Sequence, residues 1–124
     1  MTEGEHSLLA LALGAILVSA PPAHAQAVNN TVQYLYTACA ESDRDERYAD
    51  HFQGAWCLGY VRGLVDGHDV YALTQNQNGC GDGSMSAEQI RRIFMRWADA
   101  NPQYWNAPAA TGVAAAIYEA GMCS

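Results

Sequence analysis

Apolar residues recur along this chain at helical spacing, and no stretch alternates strictly enough or long enough to suggest a strand. Val32, Leu35, Tyr36 and Cys39 fall at i, i+3, i+4 and i+7 behind Thr31, a good N-cap, and predict a first helix. The charged run "ESDRDERYAD" (Glu41 to Asp50) reads as a solvated connection into the next element. A second, long helix is expected from about Tyr48 to Leu73, with Cys57, Val61, Leu64, Val65, His68 and Ala72 on one face. Arg62, Asp66 and Asp69 are expected opposite. Ser86-Ala87-Glu88-Gln89 opens a third helix as a capping box, and Ile90, Ile93, Phe94, Trp97 and Ala98 form its apolar stripe. Asn101-Pro102 ends it. A fourth helix begins near Asn106 to Pro108, turns Val113, Ala116, Ile117 and Ala120 inward, and stops at Gly121. The pattern predicts an all-α domain of four helices in two hairpins.

The second helix contains Gly59, Gly63 and Gly67, one glycine every four residues. Each costs a helix roughly 1 kcal/mol against alanine. Such a row on the flank beside Tyr60 and Tyr71 would admit a closely packed backbone, from the hairpin partner or from a second subunit. That is a packing role.

Residues before this domain look different. Leu8 to Ala20 ("LLALALGAILVSA") is apolar or small throughout, followed by Pro21-Pro22 and "AHA" at Ala23 to Ala25. An apolar stretch of about 7–15 residues before a small-x-small site is the pattern of a secretory signal peptide. The leader departs from it in having Glu3 and Glu5 and no Lys or Arg. A retained anchor would need about 18 or more apolar residues. Cleavage after Ala25, periplasmic export and a mature domain over residues 26–124 are therefore expected. The formal charge is −7, and losing Glu3 and Glu5 would leave −5. An acidic chain without basic patches excludes nucleic acid and anionic membrane as partners of the mature form. It leaves room for a basic protein partner.

Cys39, Cys57, Cys80 and Cys123 make an even set in a short, exported chain, which implies two disulfides. Three connectivities are possible. Cys39 ends the first helix and Cys57 lies early in the second, so a hairpin brings them together. Cys80 precedes the third helix and Cys123 follows the fourth, and those ends also meet if the pair is antiparallel. Cys57 to Cys80 would instead span opposite ends of the second helix, beyond the disulfide limit of about 7 Å. The expected bridges are Cys39–Cys57 and Cys80–Cys123, which the loop-entropy model values at about 3 and 4 kcal/mol.

Catalytic chemistry finds little support. His68 falls within the apolar face while Asp66 and Asp69 are expected to point away, so the three make no acid–base or metal cluster. A metalloprotein using His51, His68 and aspartates lacks close ligand spacing, and no metal or other cofactor is expected. Paired cysteines leave no thiol nucleophile. "GCGDG" has neither the lysine nor the preceding strand of a phosphate loop. Ser84 and Ser86 are explained by capping, and Arg91, Arg92 and Arg96 read as a solvated face partly offset by Asp99. The chain is expected not to be an enzyme.

"YTAC", "WCLGYVRGLVDGH", a cysteine-bearing glycine loop, "SAEQIRRIFMRWADANPQ" and "APAATGVAAAIYEAGMC" together resemble the Rap/Tai family. Those are periplasmic immunity proteins paired with peptidoglycan amidase effectors of type VI secretion. The resemblance runs from about Tyr34 to Cys123. It departs from the family at Cys80-Gly81-Asp82, where Cys-Ile-Pro is usual, and at Met122-Cys123, where Pro-Cys is usual. It implies an exported helical protein, commonly a homodimer, that blocks an amidase with a protruding loop. In this chain that loop is Thr74 to Gly83 ("TQNQNGCGDG"), apolar only at Cys80. Gln75, Asn76, Gln77 and Asn78, with Gly79, Gly81 and Asp82, are the expected contacts, since amides can both donate and accept hydrogen bonds. A small periplasmic stress chaperone, or a stand-alone helical binding domain, is the competing expectation.

Overall fold

A computed structural model describes residues 30–80, 83 and 85–123. The leader expected over residues 1–25, and Gly81, Asp82 and Ser84 in the loop, lie outside the described residues. Among those described, the chain forms four α-helices and no strand. They are α1 (Val32–Ala40), α2 (His51–Thr74), α3 (Ala87–Ala100) and α4 (Ala109–Glu119), with 3-10 turns at Glu41–Asp43 and Pro102–Tyr104. None of these helices is long and apolar enough to cross a membrane.

Local chemistry sets the helix starts. At α1 the Thr31 hydroxyl accepts from the Tyr34 amide, while the Val32 and Gln33 amides donate to the Ala107 and Trp105 carbonyls. A segment far along the chain thereby satisfies N–H groups that a helix start leaves open. α2 begins three residues later than its apolar pattern suggests, because the Asp50 side chain caps it by accepting from the Gln53 amide. α3 starts on the expected capping box, with Ser86 and Gln89 bonded reciprocally. Pro108 is the N-cap of α4 rather than a residue of its first turn.

The core gathers the expected stripes. Val32, Leu35 and Cys39 of α1, Cys57, Val61 and Val65 of α2, Ile90, Phe94 and Ala98 of α3, and Val113, Ala116 and Ile117 of α4 are buried together. Ala120 is exposed, contrary to the inward position expected of it, because α4 ends at Glu119 and Gly121 turns the chain away with φ +73°. Both expected disulfides are present. Cys39–Cys57 joins the last turn of α1 to the second turn of α2, and Cys80–Cys123 joins the loop before α3 to the chain after α4.

A close helix approach does exist, but at Gly112 of α4. A Cβ there would lie 2.6 Å from Val32 Cγ2 and 3.2 Å from Trp97 Cζ3, so only glycine lets α4 settle between α1 and α3. Gly59, Gly63 and Gly67 are exposed, with nothing among the described residues within 4 Å of an added Cβ. The row therefore does not admit its hairpin partner. At 100° per residue Phe52, Gly59, Gly63 and Val70 fall within about 40° of one another. They occupy the middle of the outward face, opposite Val61, and not a flank.

Candidate functional site: the loop between α2 and α3

The loop leaves α2 through a well-formed stop. Asn76 has φ 53°, the Asn76 amide donates to Leu73 O, and the Gln77 amide donates to Ala72 O. This is the Schellman arrangement, with asparagine in the left-handed position that glycine usually takes. Thus the backbone of residues 75–77 is committed, while the side chains of Gln75, Asn76, Gln77 and Asn78 lie on an exposed stretch.

Further ties hold the rest. Asp69 Oδ1 accepts from the Cys80 amide at 2.7 Å, and a Cβ on Gly79 would collide with the Asp69 carboxylate. Cys80 is itself buried and bonded to Cys123. Beyond the loop, Arg62 donates to the carbonyl of buried Met85 and pairs with Asp66 at 2.8 Å. Gly79 is therefore a residue of close approach, lodged against a side chain, rather than a free contact.

Asp69 does not point away from His68. Its carboxylate turns back along α2, 3.4 Å from His68 Nδ1. His68 is half-buried, with Nε2 2.9 Å from the Tyr118 hydroxyl and Nδ1 3.4 Å from Cys80 Sγ. A carboxylate oxygen and a disulfide sulfur both face Nδ1, so the proton is assigned there and Nε2 accepts from Tyr118. His68, Asp69 and Cys80 place ligand-type atoms within 4.8 Å of one another. With the sulfur held in a disulfide, Cys80 offers no thiolate for a metal. The node serves the loop base.

Large apolar side chains flank the loop on its α2 side. Val70, Tyr71 and Leu73 are 62%, 65% and 72% exposed, in the last turns before the amides. Sequence periodicity passed over them, because residues outside the apolar stripe of a helix are ordinarily polar. Three such residues next to a tethered polar loop make a surface with apolar anchors and adaptable hydrogen-bonding groups, suited to a protein partner.

The arginines of α3 divide by position. Arg91 is only 3% exposed, not solvated: it donates to Cys39 O, to both Asp43 oxygens at 2.9 and 3.0 Å, and to Glu88 at 2.6 Å. These hydrogen bonds hold the Asp43 and Glu88 carboxyls below the usual carboxylate range. Arg92 reaches Glu88, and Arg92 and Arg96 are exposed. Asp99 accepts from the Tyr36 hydroxyl at 2.7 Å instead of offsetting the arginines, and that bond keeps the Tyr36 phenol protonated to higher pH than usual.

Between α1 and the start of α2 lies a groove of about 410 Å³, lined by Thr31, Gln33, Tyr34, Thr37, Glu41 and Gln53. Its carboxylate, Glu41, accepts from the Asp50 amide and from Arg44, which lower its affinity for protons. No nucleophile with a neighbouring base lines it. Glu41 serves the turn that joins the two helices, while Thr31 caps α1 and the Thr37 hydroxyl donates to Gln33 O within it.

Residues 31–123 match the model of the family described as Rap1a immunity proteins. Neither a curated protein nor a solved structure matches the chain. The matched segment takes in all four helices, both disulfides and the whole loop between α2 and α3. The chain belongs to the Rap1a immunity protein family, and so is an immunity protein directed against a secreted effector.

Proposed function

We propose that this protein acts in the periplasm, after removal of its leader, as a stoichiometric inhibitor of a peptidoglycan amidase delivered by type VI secretion. It performs no chemistry on the effector. Thr74 to Gly83 enters or covers the amidase cleft, Gln75 to Asn78 supply hydrogen bonds, and Tyr71 and Leu73 bury against the cleft rim. The observation that carries this reading is the tethering of an exposed loop by the Asn76 cap, by Asp69 and by the Cys80–Cys123 bridge. A loop held before binding loses less conformational freedom on docking. Apolar side chains beside it supply area that amides alone would lack.

Self-association is a second part of the proposal. The outward face of α2 offers Phe52, the open glycine row and Val70, and it supports pairing of two copies through that face.

The test uses the full chain as bait in a periplasmic extract at neutral pH, with mass spectrometry of the retained proteins. The proposal expects one amidase, retained one-to-one and inhibited. Retention of many unrelated clients, growing on acidification to about pH 3, would favour the stress-chaperone alternative.

A further inference from the structure

The two disulfides sit in different chemical surroundings. Cys39 and Cys57 are completely buried among Leu35, Val61 and Ile90 of the core. Cys123 is only half-buried, and Cys80 and Cys123 line a cavity of about 80 Å³ together with Leu64, His68, Tyr118 and Ala114. Thiol–disulfide exchange requires a thiolate to reach one sulfur in line with the other, and it speeds up when the departing sulfur is stabilised as an anion. Of the two bridges, only Cys80–Cys123 has a partly exposed cysteine and a side-chain hydrogen-bond donor beside one sulfur. His68 Nδ1 stands 3.4 Å from Cys80 Sγ, with its proton already directed to that side by the Tyr118 bond at Nε2. Cys80 is buried whereas Cys123 is half-buried, so an incoming thiolate reaches Cys123 and Cys80 is the sulfur that departs.

We propose that Cys80–Cys123 is a site of thiol–disulfide exchange, at which an incoming thiolate forms a mixed disulfide with Cys123 while Cys80 departs as a thiolate hydrogen-bonded by His68. In the first step a bond forms between the incoming sulfur and Cys123 Sγ. The bond to Cys80 Sγ breaks, its electron pair leaves with Cys80, and the His68 Nδ1–H turns from the Asp69 carboxylate to that sulfur. A second thiolate then attacks the incoming sulfur, releasing Cys123 and carrying away an external disulfide. Two electrons have passed to the protein. The reactant class is a small thiol such as glutathione, or the dithiol of an oxidoreductase. Opening removes one tie of the loop, and its effect on inhibition rests on the loop being the effector-binding element. The chemistry itself does not.

The experiment keeps the full chain folded at neutral pH, adds reduced glutathione, quenches with N-ethylmaleimide at intervals and maps the peptides. The expected result is glutathione on Cys123, maleimide on Cys80 and an intact Cys39–Cys57 bridge. His68→Phe should slow opening about tenfold, and His68→Gln, which keeps a side-chain N–H, should recover part of that rate. The helical circular dichroism should be unchanged in both. Glutathione on Cys80, equal opening of the two bridges, or parental rates in a folded His68→Phe would each overturn the proposal. If His68→Phe does not fold, the comparison of His68→Gln with the parent decides, and an unchanged rate there counts against it.

Discussion

The Cys39–Cys57 end of the molecule and the Cys80–Cys123 end use the same devices to opposite purpose. At the first, a disulfide without exposed surface lies beneath Arg91, whose guanidinium joins α3 to the carbonyl of Cys39 and to Asp43 in the turn after α1. Every group there closes the core. At the second, a disulfide on a cavity, a half-buried histidine and an aspartate hold a loop whose described residues contribute only Cys80 to the core. Bridging and hydrogen bonding stabilise a fold where they cover apolar surface, and they shape a surface where they do not. The glycines repeat the lesson. Gly112 is required by contact with Val32, whereas a Cβ added at Gly59, Gly63 or Gly67 meets nothing within 4 Å among the described residues.

Breaking the comparison at its strongest point means removing each bridge. Cys39→Ala with Cys57→Ala should cost about 3–5 kcal/mol in denaturant unfolding, because loss of loop closure adds to loss of buried sulfur packing. Cys80→Ser with Cys123→Ser should cost less. Loop entropy alone orders the two the other way, since the separations are 18 and 43 residues. The order of the two midpoints is therefore a direct check on whether burial governs.

Arg91→Met should cost about 2 kcal/mol, in line with loss of hydrogen bonds between charged groups. It should also flatten the acid limb of stability. Asp43 and Glu88 titrate below their ordinary values in the folded state. Their contribution is thus complete above the unfolded carboxylate pKa of about 4 and lost as pH falls through the lower folded values. Both carboxylates are more than a third exposed, so solvent screening keeps that contribution modest. Thermal melts of parent and variant between pH 6 and about pH 3 should converge at the acid end. A constant gap would remove the ion-pair account of this end.

A smaller contrast lies in the glycines. Gly112→Ala should lose about 1–2 kcal/mol through forced contact with Val32. Gly63→Ala should gain roughly 0.5–1 kcal/mol through helix propensity, with no clash to offset it. Melting temperatures of opposite sign confirm the distinction. A loss at Gly63 in dilute, monomeric protein would mean that its face is covered.

Helix number, the capping box at Ser86 and the N-cap at Thr31 were legible from spacing because each depends on short-range geometry, and both bridges followed from pairing the helices antiparallel. What spacing could not give was which side of α2 stays open. His68, Asp69 and the glycines were ranked by angle alone, yet a carboxylate on a long helix can turn back toward its neighbour, and Asp69 does so because the Cys80 amide needs an acceptor. Arg91 had a visible signal: it stands one heptad before Ala98 and three residues after Glu88, so it belongs to the buried line of α3. A charge alone suggests a solvated place, and burial is tolerated here because Asp43 and Glu88 both pair with it. Gly112 gave no signal distinct from the surrounding alanines. The exposed Tyr71 and Leu73 were legible as residues but not as a site, since only the folded chain sets them beside the loop.

The central claim is that the tethered loop and its apolar flank grip the effector. Deleting loop residues would test it poorly, because the backbone of residues 75–77 also caps α2. The sharper variant combines Tyr71→Ala, Leu73→Ala, Gln75→Ala and Gln77→Ala, which leaves Asn76, Asp69 and both bridges in place. Inhibition of the amidase retained by the parent chain should fall by at least about a hundredfold, as expected when interface anchors are truncated. The unfolding midpoint should hardly move. A variant that inhibits as well as the parent would contradict the claim.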